Sequence, residues 1–287
     1  MKAKKTEHMN RTQETIYRFC KNKVALIGVV IILALIICMV FAEQISPYAN
    51  GVDNNYKIRL QGPSAEHIFG TDGYGRDIFT RVIHGAKYTM LIAVASSILA
   101  QIMGSVIGAL AAFYPKLDNI LMRILDVFQA IPSLLLALAI AAALGNSLPN
   151  LIIAMMVARV PGAARSGRAV MLSLVGQEYI DAARSYGSRD NQLIFGHVLP
   201  NAMGPIIVDF TINLSATTLQ VSSLSYIGLG VQPPTPEWGA LLSEAREFMQ
   251  TAPHTILFPG LAIMLVALAF NLIGDGLRDA MDPRLRD

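Results

Sequence analysis

Three polar residues, Arg159, Asp209 and Asn213, lie in apolar parts of the sequence where they could bind a ligand or each other. Arg159 and Asp209 are charged residues inside apolar stretches, and Asn213 follows Asp209 by one helical turn, on the same face. A charge in hydrocarbon costs roughly 2.5–3.5 kcal/mol on insertion scales, so such groups usually face a protein interior or a water-filled path. The sequence leaves two interpretations open. Either these residues line a path through the protein and meet a charged ligand, or Arg159 and Asp209 form a structural pair between adjacent helices.

Patterns typical of catalysis and of cofactor binding are missing from the sequence. There is no G-x-x-x-x-G-K-[ST] loop, so we do not expect the chain to bind and hydrolyse ATP by itself. Three G-x-G pairs lack the third glycine of a dinucleotide fingerprint. The five histidines are scattered, with no H-E-x-x-H and no Cys/His cluster for a metal. We therefore predict no catalytic residues, no bound cofactor and no metal site in this chain.

The composition indicates the environment in which these residues lie. Of the 287 residues, 53% are hydrophobic and 15% are charged, and the mean hydropathy is +0.48. Soluble domains carry about 25% charged residues. The composition therefore excludes a typical water-soluble enzyme and predicts an integral membrane protein. The formal net charge of +3 is explained by the basic residues that flank membrane segments, so it gives no reason to expect a nucleic-acid partner.

Six apolar stretches are long enough to cross a membrane. A spanning helix needs roughly 20 mainly apolar residues for about 30 Å of hydrocarbon. The sequence thus predicts an all-α membrane protein with six transmembrane helices. The six stretches are residues 24–42, 89–112, 123–144, 148–164, 203–226 and 255–273.

The basic residues predict the orientation of these helices. Lys and Arg are enriched in cytoplasmic loops, and 16 of the 23 lie in the segments that are cytoplasmic if the N-terminus is inside. Both termini are therefore predicted to be cytoplasmic. The resulting organisation is a cytoplasmic tail (1–23), a first transmembrane helix (24–42), an extracytoplasmic loop (43–88), a five-helix core (89–275) that includes a cytoplasmic loop (173–200), and a C-terminal cytoplasmic tail (276–287).

The cytoplasmic loop 173–200 predicts two short helices. Ile180, Ala183 and Tyr186 recur every three residues, which favours one face of a helix. Gly187 fits the end of that helix, because glycine adopts positive φ without steric cost. A second helix is expected to begin near Asp190 and to end before Pro200. The pair either docks another protein or rests on the membrane surface as an ordinary amphipathic loop.

Motifs in this loop resemble a known family. Asp181, Ala182, Ala183 and Gly187, followed after nine residues by His197-Val198-Leu199-Pro200, resemble the E-A-A-x-x-x-G-x9-I-x-L-P loop of ABC-importer membrane subunits. Asp181 keeps the carboxylate of the family's Glu, and His197 replaces its Ile. Segments 70–77, 228–234 and 271–283 narrow the similarity to the second permease subunit of the oligopeptide/dipeptide/nickel importers. The resemblance extends from the first span almost to the C-terminus.

This resemblance implies a mechanism and a set of partners. Two cytoplasmic ATPase subunits would use ATP and Mg²⁺, and the coupling loop, with Asp181, Ala182, Ala183, Gly187, Leu199 and Pro200, would dock on one of them. A homologous second permease would complete the path, and an extracytoplasmic binding protein would deliver peptides, nickel or a metal chelate. The chain itself would be no enzyme, and it would lie among lipids of a bacterial or archaeal cell membrane. The alternative function is a stand-alone secondary transporter or channel subunit.

Residues 70–77, before the second span, form a dense cluster of turn formers and charges. Asp72, Arg76 and Asp77 could dock the binding protein, or they could bond to one another and order the entry to the span. Either role would place them on the extracytoplasmic side.

Two further patterns concern how the spans pack. Small residues such as Ala93, Ala100, Gly104 and Gly108 run along the second span and permit close helix contact, which suits an interface with the second permease but is also common inside a bundle. Pro132 predicts a kink near the middle of the third helix.

Overall fold

The computed structural model describes residues 11–282, and within this range the chain is helical. It contains no β-strand there, and its β-type pairing is an isolated bridge between Thr71 and Asp77. The predicted all-α class is therefore confirmed. Residues 1–10 of the predicted N-terminal tail and 283–287 of the predicted C-terminal tail lie outside the described residues.

The helices range from one turn to 36 residues. A π-helical turn, Ile194–Val198, joins α9 to α10, and short 3-10 turns lie at Tyr48–Gly51, Tyr56–Ile58 and Arg246–Phe248. The helices are α1 (Arg11–Lys21), α2 (Lys23–Val40), α3 (Ala42–Ile45), α4 (Ile78–Phe113), α5 (Pro115–Gln129), α6 (Ser133–Leu144), α7 (Leu148–Val175), α8 (Glu178–Ser185), α9 (Asp190–Leu193), α10 (Leu199–Tyr226), α11 (Trp238–Ala245) and α12 (His254–Met281).

Four to five elements are long and apolar enough to cross a membrane. Among the described residues these are α2, α4, the continuous helix Asp190–Tyr226 and α12, with the bent pair α5–α6 as a fifth. A helix is present at each of the six apolar stretches, including α7. Helix α4 begins at Ile78, inside the segment 43–88 that the sequence assigns to an extracytoplasmic loop.

The third predicted span is two helices rather than one kinked helix. Helix α5 begins at Pro115, ends at Gln129 and is followed by α6 from Ser133, at an angle of 83°. Pro132 has extended backbone angles (φ −51°, ψ 132°). Proline has no N–H to continue the hydrogen bonding of a helix, and it disfavours helical angles in the residue before it. The proline therefore separates the two helices.

Close packing of α4 on α7 forms the centre of the bundle. A Cβ atom added at Gly104 would lie 2.5 Å from the Cβ of Ala163, and one at Gly108 would lie 2.6 Å from the backbone N of Arg168. The two backbones approach this closely only because these positions are glycine. The small-residue stripe thus serves contacts inside this chain at Gly104 and Gly108, rather than an interface with a second permease.

Helix α12 packs between α10 and α2 through further small residues. A Cβ added at Gly274 would lie 2.7 Å from Ile212 on α10, and one added at Gly276 would lie 2.3 Å from Ala25 on α2. Only Ala25 and Gly28 are buried on α2, and its remaining side chains are half-buried or exposed. Helix α2 therefore lies at the periphery, where an apolar surface faces lipid in a membrane protein.

Candidate functional site

A cavity of about 480 Å³ lies between α4, the α5–α6 break, α7 and α10. Its wall contains Arg159 from α7 together with Asp209 and Asn213 from α10, and Gln101 and Ser133 extend the polar surface. The α5–α6 break adds residues from its two ends to the wall. The structure therefore brings together the three residues that the sequence predicts as a possible translocation path.

Arg159 is held by two neutral side chains of α10. Its Nη2 donates to Asn213 Oδ1 at 2.9 Å, and its Nη1 donates to Gln220 Oε1 at 3.2 Å. Gln220 Nε2 in turn donates to Ser133 Oγ at 3.1 Å. These hydrogen bonds connect α7, α10 and the start of α6, so they fix the guanidinium at the cavity wall.

Asp209 occupies the same wall without forming an ion pair with Arg159. Between residues 11 and 282, no ion pair joins Arg159 to any carboxylate. Asp209 Oδ2 is buried and has no hydrogen-bond partner, and the backbone oxygen of Asp209 accepts from Asn213 Nδ2 at 2.9 Å. The geometry thus departs from the alternative of a structural Arg–Asp pair, because Asn213 and Gln220 bond to the guanidinium instead.

Neither Gln101, which lines this cavity, nor Gln220, which accepts a hydrogen bond from Arg159, was identified from the sequence. Gln220 lies seven residues after Asn213, two helical turns along one face, and this spacing could have identified it. Gln101 belongs to α4, and its Nε2 is buried without a hydrogen-bond partner. Nothing in the sequence around Gln101 indicates that it faces α7 and α10.

Helix α8 presents small, exposed residues at the surface. Ile180 is fully buried in a cluster with Met171 and Val198, whereas Asp181 and Ala182 are exposed and Ala183 is half-buried. The predicted helix is confirmed. The shared face predicted for Ile180, Ala183 and Tyr186 is wrong, because Tyr186 lies beyond the helix end and is 92% exposed.

Gly187 follows α8 in a left-handed conformation. Its φ is +87°, as predicted for a glycine at a helix end, and a Cβ atom added there would have no neighbour within 4 Å. The position therefore needs glycine for its backbone angle, while the space beside it stays open on this chain.

The second helix of the loop does not end before Pro200. It begins at Asp190 as predicted, passes through the π turn and continues into α10. Pro200 does not end the helix, because it lies in the first turn of α10, where a missing N–H is tolerated. In the π turn before it, Leu199 N donates to Ile194 O, five residues earlier. Leu199 is half-buried and Pro200 is exposed.

Residues 70–77 form a charged cluster that is bonded internally and to α11. Arg76 Nε lies 2.7 Å from Asp72 Oδ2, and Arg76 Nη2 lies 2.9 Å from Glu244 Oε2. Arg81 Nη1 lies 2.5 Å from Asp72 and 2.7 Å from Glu244. The two arginine side chains are only 4% and 1% exposed. This geometry fits the alternative of a self-bonded turn, and it leaves docking of a binding protein by Asp72, Arg76 and Asp77 as a prediction.

Asp77 caps helix α4. Its Oδ1 accepts from the backbone N of Thr80 at 2.8 Å, which satisfies an otherwise free N–H of the first turn, and its Oδ2 lies 2.8 Å from His67 Nδ1. The residue thus orders the entry to α4, as the self-bonded alternative predicts.

The described residues include no set of three or more His, Cys, Asp or Glu that could hold a metal ion. His84 Nε2 instead contacts the backbone oxygen of Ser46 at 2.9 Å, and His254 Nε2 contacts that of Thr71 at 3.2 Å. These histidines tie the segments around Ser46 and Thr71 to α4 and α12.

Comparison with known proteins identifies the family of this chain. A family model described as a binding-protein-dependent transport system inner membrane component matches residues 104–287, and the N-terminal TM domain of oligopeptide transport permease C matches residues 10–63. The chain belongs to this family of permeases. It is therefore a multi-pass membrane protein, and it serves as a membrane subunit of an ABC importer rather than as an enzyme, since partner subunits perform the ATPase work.

Relatives of nearly full length place this permease among the peptide importers, as the motifs in segments 70–77, 228–234 and 271–283 predict. It is 45% identical to a dipeptide transport system permease of Alkalihalophilus pseudofirmus, over 96% of this chain and 90% of that protein. It is 44% identical to a glutathione transport system permease of Salmonella typhimurium, over 94% of this chain and 89% of that protein. A putative peptide transport permease of Brucella abortus is 41% identical, over 95% and 92% of the two chains.

The permease fold is also found in a solved structure. The inward-facing MetNI methionine ABC transporter matches with a TM-score of 0.58 and 19% identity, over 71% of this permease and 98% of that chain. This similarity concerns the fold alone.

Proposed function

We propose that this permease forms one half of the translocation path of an ABC importer for short peptides. Its partners are a homologous second permease, two cytoplasmic ATPase subunits that use ATP and Mg²⁺, and an extracytoplasmic binding protein that delivers the substrate. The chain binds no cofactor and no nucleic acid, and its outer helices contact lipid in a bacterial or archaeal cell membrane.

The proposed topology has six spans with both termini in the cytoplasm. Helices α2, α4, α10 and α12 and the bent α5–α6 pair supply five spans, and α7 is the sixth. With 28 residues α7 is about 42 Å long at 1.5 Å per residue. Its end carries Arg165 and Arg168, which pair with Asp126 and Asp118 on α5. The distribution of Lys and Arg supports this orientation.

The observation that carries the proposal is the exposed, small-residue surface of α8. Ile180 anchors the helix through its buried side chain, while Asp181 and Ala182 remain exposed and Gly187 has open space beside it. A short helix of this kind fits a groove on a partner protein. We assign this role to the contact with an ATPase subunit, whose closure on ATP would move α8 and re-pack the membrane helices.

The substrate class rests on relatives of nearly full length. Two of them are named as dipeptide and glutathione permeases, both of which concern small peptides. We therefore propose peptides as the substrate rather than nickel or a metal chelate.

The proposal is tested by a Gly187→Val variant in the assembled importer. Valine disfavours a φ of +87°, so it should distort the end of α8, and its side chain fills the space that a partner would need. We expect ATP-linked peptide uptake to be lost while the protein still reaches the membrane. Gly176→Val is the matched control, because Gly176 lies in the same loop with equally open space and a φ of −83°.

Affinity purification from native membranes in mild detergent provides the second readout. Recovery of ATPase subunits and a second permease with the parent chain, and their loss with Gly187→Val, is the expected result. Normal uptake by Gly187→Val would contradict the coupling role. A chain that purifies alone, stable and without an ATPase, would instead favour a stand-alone secondary transporter or channel subunit.

A further inference from the structure

Among residues 11–282, no carboxylate forms a direct ion pair with Arg159, although Asp209 lies on the same cavity wall. The two acceptors of the Arg159 hydrogen bonds are the neutral amides of Asn213 and Gln220. A guanidinium has five N–H donors. The two amides use only part of this capacity, and Arg159 is half-buried, so further donors remain available at the cavity wall.

The amide partners hold the guanidinium in place without neutralising it. Asn213 is tied to its own helix through its Nδ2 bond to the Asp209 backbone, and Gln220 is tied to Ser133 across the cavity wall. Asp209 offsets part of the positive charge from a distance, whereas the two amides that bond to the guanidinium carry no charge. A fixed guanidinium with free N–H donors and no directly bonded carboxylate is the arrangement that suits recognition of a carboxylate.

We propose that Arg159 binds the terminal carboxylate of the peptide in this cavity. The inference rests on the proposed function, and it assigns a substrate group to one residue of the path. The volume of about 480 Å³ lies within the ordinary range of small-ligand sites, about 300–1,000 Å³. Asn213 and Gln220 act as positioning residues for the guanidinium. Asp209 lines the same cavity, but its Oδ2 is buried, so it is not assigned to the substrate's ammonium group.

The test compares Arg159→Gln with Arg159→Lys in the complete importer, reconstituted in proteoliposomes with its binding protein. Glutamine can still hydrogen-bond to Asn213 and Gln220, but it has no charge. Lysine keeps the charge and loses the planar geometry. A structural role would therefore favour glutamine, and a carboxylate-binding role would favour lysine. The matched control is Arg165→Gln on the same helix, since Arg165 is 52% exposed and pairs with Asp126.

Uptake of labelled dialanine, whose only carboxylate is the terminal one, provides the measurement. We expect the ratio of Vmax to KM to fall about tenfold or more for Arg159→Gln, the scale of one lost charge-assisted hydrogen bond. Arg159→Lys should fall less, and Arg165→Gln should resemble the parent. Because the binding protein is unchanged, its own recognition of the peptide contributes equally to all variants.

Two results would overturn the inference. One is parental uptake of dialanine by Arg159→Gln, and the other is an Arg159→Lys variant as impaired as Arg159→Gln or worse. ATPase activity stimulated by the binding protein is measured in each preparation. If this ATPase activity persists in Arg159→Gln, then a result that overturns the carboxylate site does not contradict the proposed importer function. Failure of that function would instead appear as a parent complex without ATPase subunits.

Discussion

Replacing Glu244 by alanine would remove one of the two carboxylates that hold a pair of buried arginines. Glu244 Oε2 lies 2.9 Å from Arg76 Nη2 and 2.7 Å from Arg81 Nη1. In the variant both guanidinium groups would share Asp72 alone. Arg81 already has its Nε and Nη2 atoms buried without hydrogen-bond partners, so the change would leave it still less satisfied.

The size of the effect follows from these contacts. Removing one partner of a buried ion pair costs about 3–5 kcal/mol, because the other charge stays buried and uncompensated. Two charge-assisted hydrogen bonds of about 1.5–3 kcal/mol each give a similar sum. At about 2–4 °C per kcal/mol, as for chains of 150–250 residues, the melting temperature should fall by roughly 6–20 °C.

Thermal unfolding of the purified permease complex in nanodiscs measures this effect. Glu247→Ala is the control, since Glu247 is exposed three residues further on and its replacement makes the same charge change. A double variant, Arg76→Met with Glu244→Leu, should recover part of the loss, because apolar residues of similar volume can replace a buried ion pair. The reasoning would be refuted if the melting temperatures of Glu244→Ala and Glu247→Ala agreed within about 2 °C. Such a difference corresponds to about 1 kcal/mol or less in the free energy of unfolding.

Two further predictions concern packing and pH. Gly104→Val should push α4 away from α7, because the new Cβ would lie 2.5 Å from the Cβ of Ala163. The yield of monodisperse protein should therefore fall. Gly260→Val is the control and should not change the yield, because no atom lies within 4 Å of its new Cβ. Burial raises the pKa of the Glu237 carboxyl above its ordinary 4.5, against hydrogen bonds from Thr89 and other neighbours. The stabilisation from this group is therefore complete below about pH 4.5 and lost as the pH rises through the folded-state pKa. Glu237→Gln should reduce the fall of the melting temperature as the pH rises above about 4.5. An unchanged slope of melting temperature against pH would show that Glu237 does not cause this pH dependence.

Features encoded over one or two helical turns could be predicted from the sequence. The apolar stretches predict the helical class, and helix α8 with its terminal Gly187 follows from residue spacing and glycine's freedom at positive φ. The loop motif likewise identifies the permease family. These predictions depend on residues close together in the chain, whose periodicity is visible without knowledge of the neighbouring helices.

Contacts between distant segments could not be predicted in this way. Glu244 binds Arg76 across 168 residues, and Gln220 binds Arg159 across 61. Their partners depend on how helices pack, which no local pattern records. For the same reason the sequence left open whether Arg159 and Asp209 line a path or pair with each other, and it did not indicate that the amide of Asn213 bonds to the guanidinium. The break between α5 and α6 was underestimated because a proline predicts a disruption but not its angle.

Helix α9, the π turn and α10 connect loop 173–200, which we propose to be cytoplasmic, directly to the cavity. Residues Asp190–Tyr226 form one continuous helix. This helix begins in loop 173–200 and carries Asp209 and Asn213 without a break. At 1.5 Å per residue, Asp190 and Asn213 are about 35 Å apart along this helix. A displacement at Asp190 would therefore be transmitted along the helix to the cavity wall. The helix would bend most readily at the π turn, where its hydrogen bonding is irregular.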